Sequence, residues 1–233
     1  MSSVPKLDEI GRLVGDPSRT AILNALMDGR AWTGRELAGA AHVSASTASS
    51  HLQRLVRGGL LVVVTQGRSH YYRIASSDVA TALESLMALA PVSTPRHSSQ
   101  RRIAADLAAA RLCYDHIAGA LGVALADALV RRGAVSFSDG SATLTEAGAA
   151  FLERAGAKLD APRTRRPVCR PCLDWSERRP HIAGIAGAAL ARAALDQDWV
   201  RRRRDSRTLT VTVRGTAAFR ELFGINGPAR DEE

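Results

Sequence analysis

The chain is almost without lysine. Lys6 and Lys158 are its only lysines among 32 lysine and arginine residues, so arginine carries nearly all of the basic charge behind a net charge of +9. Arginine forms bidentate contacts with phosphates and guanine edges. A GC-rich genome also enriches a protein in arginine and alanine. The charge balance therefore permits nucleic-acid binding without proving it.

Three further absences narrow the class of protein. The three cysteines are odd in number and too few for a disulfide scaffold, which favours a reducing compartment. No apolar run reaches membrane-spanning length, and the N-terminus lacks the pattern of a signal peptide. We therefore expect a soluble cytoplasmic protein without a membrane partner. Its 233 residues suffice for one large or two ordinary domains.

Helix-start signals dominate the first ninety residues. Asp16 is a predicted N-cap with Pro17 at the first helical position, and Thr33 with Glu36 forms a capping-box pattern. After a turn at residues 42–43, Ser44 is the predicted cap of a helix that ends near Gly58. The signals predict short helices that follow one another closely.

A β-hairpin with Gly67 in its turn is predicted next, followed by another helix. The segment 91–100 is rich in proline and serine and breaks the periodicity, which predicts a linker. Residues 1–90 are thus predicted to form one domain, residues 101–226 a second, and residues 227–233 a tail.

The second half contains an internal repeat. His116 to Gly119 spells the same four residues as His181 to Gly184, at an offset of 65. A threonine-containing strand pattern near Thr143 recurs at Thr210, at an offset of 67. We predict two related helix-hairpin-helix units, at about 101–160 and 173–226, packed together. The predicted fold class is mainly α with β-hairpin wings (α+β).

The helix from Ser44 to Arg57 has two unlike faces. Ala48, Leu52 and Leu55 share one face and are predicted to pack inward. The other face carries small hydroxyls and longer polar groups, which suits insertion into a major groove. A single polar face is usually only solvated, but here a capped helix precedes it and a glycine-tipped hairpin follows. The predicted DNA-contacting residues are Ser44, Ser46, Thr47, Ser49, Ser50, His51, Gln53, Arg54, Arg57 and Arg68.

These motifs resemble the winged helix-turn-helix of ArsR-type (arsenic-repressor) bacterial regulators. The matching pieces are residues 16–19, 36–38, 46–52, 59–61 and 67–72, within a resemblance that spans about residues 5–90. The resemblance implies a homodimer, joined by the first helix and the helix after the wing, that represses genes at an inverted-repeat DNA operator. The chain departs from the family pattern at Ser50, where arginine is common, so Arg54 or Arg57 is expected to compensate.

The resemblance also implies where a metal would bind, and the residues there do not fit. Metal-sensing members often carry cysteines in the helix before the turn, but "GRELAGAA" has none. Another family site uses Asp and His after the wing, where this chain has Asp78 and Glu84 but no histidine. Any sensing chemistry is therefore expected in the second half.

Three interpretations of the cysteines in the second half remain open. Cys113, Cys169 and Cys172 are candidates for thiol redox or ligand sensing, by oxidation of the C-x-x-C pair or of either member with Cys113. A weaker alternative is a zinc site of these three with His116. The third reading is that the thiols are simply buried. We expect no cofactor on this basis, with zinc as the less favoured alternative.

The sequence also suggests roles for the histidines, aromatic residues and arginines of the second half. Because no partner cysteine matches His116 and His181 in the repeat, we expect both histidines to serve packing or a helix end. Tyr114, Trp175 and Trp199 are alternatives for lining a small-molecule pocket. Arginines 201–204 are expected to be solvated.

With what the ArsR-type resemblance implies, we predict a transcriptional repressor that binds a double-stranded DNA operator as a homodimer, with an oxidant or a small molecule as a candidate inducer acting on the C-terminal domain. It is not predicted to be an enzyme. The alternatives are a thiol redox enzyme that uses the C-x-x-C pair and an architectural protein that binds DNA by charge alone.

Overall fold

The computed structural model describes residues 6–67, 69–90, 98–138, 140–159, 166–204 and 206–226. The chain divides into two compact units, Met1–Ala82 and Leu83–Glu233. The division falls inside one helix, and the helix beginning at Ser98 lies partly within the predicted linker. Most of that linker, residues 91–97, is outside the described residues, as are Arg68 and the predicted tail.

The first unit is a helical cluster with a small antiparallel sheet. Its strand order is β1-β3-β2, and β2 and β3 form the predicted hairpin. The elements are α1 (Leu7–Val14), α2 (Pro17–Leu26), β1 (Trp32–Thr33), α3 (Gly34–Ala40), α4 (Ala45–Arg57), β2 (Leu61–Gln66), β3 (Ser69–Ile74) and α5 (Ser77–Leu89), which crosses into the second unit.

Local side-chain caps start helices α2, α3 and α4, as the sequence predicted. The Asp16 carboxylate accepts a hydrogen bond from the Arg19 amide at 2.9 Å, and this also lowers the pKa of Asp16. Thr33 and Glu36 form the complete capping box at the start of α3. Because each cap satisfies amides that the helix leaves unpaired, the short helices have defined ends.

The second unit repeats one order of elements. After α6 (Ser98–Ala109), the order hairpin, helix, hairpin, helix occurs twice. The first half-unit is β4 (Arg111–Cys113), β5 (His116–Ala118), α7 (Gly119–Arg131), β6 (Val135–Ser138), β7 (Ser141–Leu144) and α8 (Glu146–Arg154). The second half-unit is β8 (Arg170–Leu173), β9 (Pro180–Ala183), α9 (Gly184–Asp196), β10 (Val200–Arg202), β11 (Leu209–Val211) and α10 (Val213–Phe223).

The leading hairpin of each half-unit was not in the predicted helix-hairpin-helix order. Its strands are three or four residues long, too short to show the alternation by which strands are recognised. The second half-unit accordingly begins at Arg170 rather than at the predicted residue 173. Strands β4, β5, β8 and β9 carry Cys113, His116, Cys172 and His181, respectively.

The two half-units share one apolar core. Leu125 and Leu129 from α7 pack in the same buried cluster as Leu190 from α9 and Phe219 from α10. Backbone hydrogen bonds also join the halves, since the Leu112 amide donates to the Arg207 carbonyl at 2.8 Å. Neither half-unit therefore buries its apolar side chains without the other.

The final helix of each half-unit starts in the same way. Thr145 accepts a hydrogen bond from the Gly148 amide at 3.0 Å, and Thr212 accepts one from the Gly215 amide at 2.9 Å. A Cβ on Gly215 would lie 1.8 Å from the Trp199 carbonyl oxygen, so only glycine fits there. The threonine patterns found in the sequence thus mark equivalent helix starts.

Candidate functional site

Helix α4 separates apolar from polar residues around its axis. Ala48, Leu52 and Leu55 are buried, as the sequence predicted. At the N-terminus, the Ser44 hydroxyl accepts a hydrogen bond from the Thr47 amide at 3.2 Å and lies 2.9 Å from the hydroxyls of Ser46 and Thr47. The helix therefore presents a cluster of hydroxyl groups at its N-terminal end.

Most of the predicted DNA-contacting residues lie on the solvent-facing side of this segment. An exposed, mainly polar surface with two arginines at its C-terminal end can contact base edges and phosphates together. We call this surface the recognition face, and its exposed members are Ser44, Ser46, Thr47, Ser49, Ser50, Gln53, Arg54 and Arg57.

His51 is placed differently from the other predicted contacts. Its side chain is only 13% exposed, and its Nε2 lies 4.0 Å from an Asp16 carboxylate oxygen. Its Nδ1 lies 3.3 Å from Nη1 of Arg19, which in turn donates to the carbonyls of Arg12 and Leu13. His51 therefore braces α4 against the α1–α2 corner and is not part of the recognition face.

The hairpin after α4 forms the wing. Gln66 pairs with Ser69 at its end, and Gly67 adopts a positive φ of 60° that favours glycine. The predicted wing contact, Arg68, lies outside the described residues.

A second candidate site lies in the core of the C-terminal unit. Cys113 pairs directly with His116 across the β4–β5 hairpin, and Cys172 pairs with His181 across the β8–β9 hairpin. Each histidine therefore has a cysteine opposite it. The expectation that the two histidines lack matching cysteines is wrong, because in the second hairpin six residues separate the paired strands and hide the match in the sequence.

These four side chains converge on one point. One ligand atom from each, a sulfur or a ring nitrogen, lies within 4.8 Å of all the others, and all four residues are buried. The Sγ atoms of Cys113 and Cys172 are 3.9 Å apart, and the two imidazole centroids are 5.0 Å apart. We call this set the Cys2His2 cluster.

A carboxylate orients the first histidine of the Cys2His2 cluster. Nδ1 of His116 lies 3.3 Å from Asp115, whose two oxygens accept hydrogen bonds from the Arg166 guanidinium. Burial alone raises the pKa of Asp115, but its bonds to His116 and Arg166 lower it to about 2. Nε2 of His116 makes no hydrogen bond and is directed into the protein interior.

The second histidine has a carboxylate in the equivalent place. Nδ1 of His181 lies 3.4 Å from Asp174, without hydrogen-bond geometry, and neither ring nitrogen makes a hydrogen bond. Asp174 is fully buried, pairs with Arg111 at 2.9 Å and accepts from the Gly119 amide at 2.6 Å. The pattern Cys-x-Asp followed by His-Ile-Ala-Gly thus occurs in both half-units.

Two glycines leave room for the histidine rings. A Cβ on Gly187 would lie 3.1 Å from Cβ of His116, and one on Gly122 would lie 3.5 Å from Cβ of His181. The backbone is also close at both positions. The Cβ on Gly122 would lie 2.4 Å from the Ile117 carbonyl oxygen, and the Cβ on Gly187 would lie 2.2 Å from the Ile182 carbonyl oxygen. Each half-unit's helix therefore approaches the other half-unit's histidine.

The electrostatics favour a charged pair inside the cluster. The Cys113 thiol lowers the pKa of Cys172, and His116 and His181 lower it further against the effect of burial. The contact with Cys172 and burial both raise the pKa of Cys113. Burial lowers the pKa of His116, but interactions with Asp115 and Cys172 raise it to about 9. The pKa of Cys172 is thus lowered and that of His116 raised, each toward its charged form.

Cys169, which the sequence grouped with the other thiols, does not belong to the cluster. It is buried separately before β8, and burial raises its pKa. His181 instead completes the set with Cys113, His116 and Cys172. Trp199 packs on Phe219 in the core, and the Arg111 guanidinium lies 4.4 Å above the Trp175 ring, so these two tryptophans serve packing.

The arginine run of the last hairpin is partly paired. Arg201 bonds to Asp198 at 2.7 Å, and Arg203 bonds to Asp106 at 2.7 Å, both from exposed positions. Exposed pairs of this kind contribute little to stability. This is consistent with the solvated role expected for residues 201–204.

Comparison with known proteins gives a relative that matches nearly end to end. The HTH-type transcriptional regulator YdfF of Bacillus subtilis is 40% identical over 222 residues, which cover 95% of this chain and 98% of that protein. The chain belongs to the HTH-type transcriptional regulators. Its N-terminal part is a winged helix-turn-helix of the ArsR type, as the sequence motifs predicted.

Shorter matches cover about a third of the chain or slightly more. The HTH-type transcriptional regulator CmtR of Mycobacterium tuberculosis is 40% identical over 81 residues, 35% of this chain and 68% of that protein. The solved structure of CmtR, described as a cadmium metal-sensor, is 36% identical, covers 39% of this chain and 94% of its own, and has a TM-score of 0.31. HlyU from Vibrio cholerae is 26% identical over 36% of this chain and 89% of its own, with a TM-score of 0.33. No protein-family model matches the chain.

Among the described residues, no helix has the length and apolar character needed to cross a bilayer.

Proposed function

We propose that this transcriptional regulator is a sequence-specific repressor that binds an inverted-repeat operator as a homodimer and receives its signal through the C-terminal domain, predicted at residues 101–226. The observation that carries the DNA-binding proposal is the recognition face of α4. Its exposed polar groups lie over a face fixed by Ala48, Leu52 and Leu55, so a rigid helix presents them. A rigid helix of this kind suits base readout in a major groove.

Different members of the recognition face have different expected roles. The small side chains of Ser46 and Thr47 allow close approach of the helix N-terminus, where amide groups and hydroxyls favour a phosphate or a base edge. Arg54 and Arg57 lie in the last turns of α4, where a guanidinium reaches a phosphate or guanine. Because the Ser50 side chain is short, we expect Arg54 and Arg57 to make the DNA contacts that need a long side chain.

Exposed apolar residues support the homodimer. Helix α1 has no buried residue, and its Leu7 is 80% exposed. Helix α5 exposes Leu86 and, at 82%, Leu89. The ArsR-type resemblance implies that a second copy of the chain covers these two helices. Analytical ultracentrifugation of Leu89→Asp beside wild type tests this, with a shift toward monomer expected.

The recognition face is tested by an electrophoretic mobility shift with the DNA upstream of the protein's own gene. The triple variant S46A/T47A/R54A removes three exposed groups and leaves the buried face and the Ser44 cap intact. We expect loss of the sequence-specific shift, while Arg220→Ala, an exposed arginine on α10, leaves it unchanged. Unchanged binding by the triple variant would show that α4 is not the reading helix. Equal binding to random DNA at moderate salt would favour the architectural alternative.

Signal input through the C-terminal unit is supported by the buried Cys2His2 cluster, whose chemistry responds to metal or oxidant. The same shift assay, run with reduced protein, oxidised protein, added zinc and added chelator, separates these inputs. A change with oxidant that the chelator does not reproduce supports a thiol signal. An unchanged shift under all four conditions favours a small-molecule inducer or no inducer.

The thiol-enzyme alternative has less support. A catalytic thiol needs access and a low pKa, but Cys169 and Cys172 are both buried and burial raises the pKa of Cys169. Measurable disulfide-reducing turnover by the purified protein, lost in Cys169→Ser, would restore that alternative.

The repeated order of elements supports an origin of the C-terminal unit by duplication. We infer this from the repeated Cys-x-Asp and His-Ile-Ala-Gly motifs, and from the equivalent threonine caps at Thr145 and Thr212.

A further inference from the structure

We propose that Cys113, His116, Cys172 and His181 bind one Zn²⁺ ion in a buried tetrahedral site that joins the two half-units. This inference does not rest on the DNA-binding proposal, because it concerns residues of the C-terminal unit alone.

The kinds of ligand select the metal. Two thiolates and two imidazoles in a tetrahedral arrangement are typical of zinc, whereas calcium and magnesium prefer oxygen ligands. The four residues supply the Cys₂His₂ set required for a closed structural site, with no position left for water or substrate. A closed set favours a structural or regulatory ion over a catalytic one.

The spacing of the ligand atoms fits a tetrahedron. Zn–S and Zn–N bonds of about 2.3 and 2.0 Å place two sulfurs about 3.8 Å apart in a regular tetrahedral site. The Cys113 and Cys172 sulfurs are 3.9 Å apart. The remaining separations, all within 4.8 Å, need only a small contraction around an ion.

Unsatisfied nitrogen atoms are the second observation. Nε2 of His116 and both ring nitrogens of His181 make no hydrogen bond, although both side chains are buried. Leaving such polar groups unsatisfied in a protein interior costs free energy, and a metal ion removes that cost. The unsatisfied atoms include Nε2 of both histidines, which are the atoms that would hold the ion.

The carboxylates behind the histidines complete the arrangement. Zinc-bound histidines usually direct the second ring nitrogen at a carboxylate, which fixes the ring orientation and strengthens the ligand. Asp115 occupies this place for His116 at 3.3 Å, and Asp174 lies 3.4 Å from Nδ1 of His181. Packing alone would not require two separate Asp–His pairs directed at two sulfurs.

A disulfide between Cys113 and Cys172 is the competing use of the sulfurs. It would shorten the 3.9 Å separation to about 2.05 Å and would give no role to the two histidines. Zinc uses all four side chains, so the arrangement favours the ion.

The site has a mechanical consequence. Cys113 and His116 come from the first half-unit, and Cys172 and His181 from the second, so a single ion would bind both hairpins together. Zinc bound only by the folded chain stabilises it by mass action.

The first test uses the wild-type full-length protein. Protein purified without air is analysed for metal content, then stripped with a chelator and titrated with Co²⁺. We expect one zinc per chain, and one equivalent of Co²⁺ giving the intense visible bands of tetrahedral cobalt with a thiolate-to-cobalt charge-transfer band. Zinc should abolish both bands and raise the melting temperature. A weak octahedral cobalt spectrum, or a Cys113–Cys172 disulfide in metal-free protein purified without air, would overturn the proposal.

Variants assign the ligands. Cys113→Ser and His181→Asn should lose the charge-transfer band or bind at least about tenfold more weakly, whereas the matched control Cys169→Ser should bind like wild type. If the ligand variants fail to fold, Asp115→Asn keeps all four ligands and should weaken binding by about 10- to 100-fold. Equal loss in Cys169→Ser, or wild-type affinity in both Cys113→Ser and Asp115→Asn, contradicts the assignment. The S46A/T47A/R54A variant should bind zinc normally, which separates this test from that of DNA binding.

Discussion

Replacing Asp174 by asparagine tests the buried centre of the C-terminal unit. The Asp174 side chain is fully buried and pairs with Arg111, whose own side chain is also fully buried. It accepts hydrogen bonds from the amides of Gly119, Ser176 and Glu177 at 2.6, 2.9 and 3.1 Å, and from the Ser176 hydroxyl at 2.7 Å. Asparagine keeps the shape but removes the charge and one acceptor.

The magnitude follows from what the substitution leaves behind. Among the described residues, Glu84 at 3.5 Å would be the remaining charged partner of Arg111, and an amide NH₂ group would face a backbone donor. Removing one member of a buried ion pair costs about 3–5 kcal/mol. Because the Gly119 amide begins α7, the loss should extend to the packing of that helix. We therefore expect D174N to lower the free energy of unfolding by about 3–5 kcal/mol.

Urea unfolding followed by tryptophan fluorescence measures this change, with chelator present so that no metal contributes. Asp196→Asn is the matched control because it makes the same chemical change at an exposed position and should stay within about 0.5 kcal/mol of wild type. A change of less than about 1 kcal/mol in D174N would refute the reasoning, since it would mean that Arg111 is satisfied without Asp174.

Three other changes have expected outcomes. Gly215→Ala should unfold at a markedly lower urea concentration than wild type, because its Cβ would lie 1.8 Å from the Trp199 carbonyl oxygen. The matched control Gly39→Ala adds a Cβ that meets nothing within 4 Å, so it should raise the free energy of unfolding by up to about 1 kcal/mol. Thr145→Ala removes the cap of α8 and should cost about 1 kcal/mol in the same assay, and no loss would mean that the cap contributes nothing. If Arg54 contacts a phosphate, Arg54→Ala should weaken all DNA sequences alike and reduce the salt slope of binding by about 1; a loss confined to one operator base would instead indicate base contact.

The parts that the sequence predicted are those fixed by local chemistry. The caps at Asp16, Thr33 and Ser44 depend on residues within one turn, so their spacing is visible in the chain. The buried face of α4 likewise follows from helical periodicity, because every third or fourth residue returns to the same side. The role of His51 was not visible, since its partners lie 32 and 35 positions earlier.

The Cys2His2 cluster depends on pairing that periodicity does not encode. Cys113 and Cys172 are 59 residues apart, and only the packing of two hairpins brings them together. The C-x-x-C spacing favoured a pairing of Cys169 with Cys172, but Cys169 lies outside the Cys2His2 cluster. A stronger signal was present in the repeat, because Cys-x-Asp precedes His-Ile-Ala-Gly in both copies. It was obscured by the different lengths of the two hairpin connections.

That difference in length distinguishes two half-units that share the same order of elements. The first connection is Tyr114–Asp115, while the second spans residues 174–179. The longer connection places Trp175 against Arg111 and lets Arg178 donate to the Ala88 carbonyl at the end of α5. A symmetric pair of separate chains would have to change both connections at once, whereas the proposed duplication within one chain allows one connection to lengthen while the other stays short. In the second half-unit, the longer connection thereby contacts the end of α5.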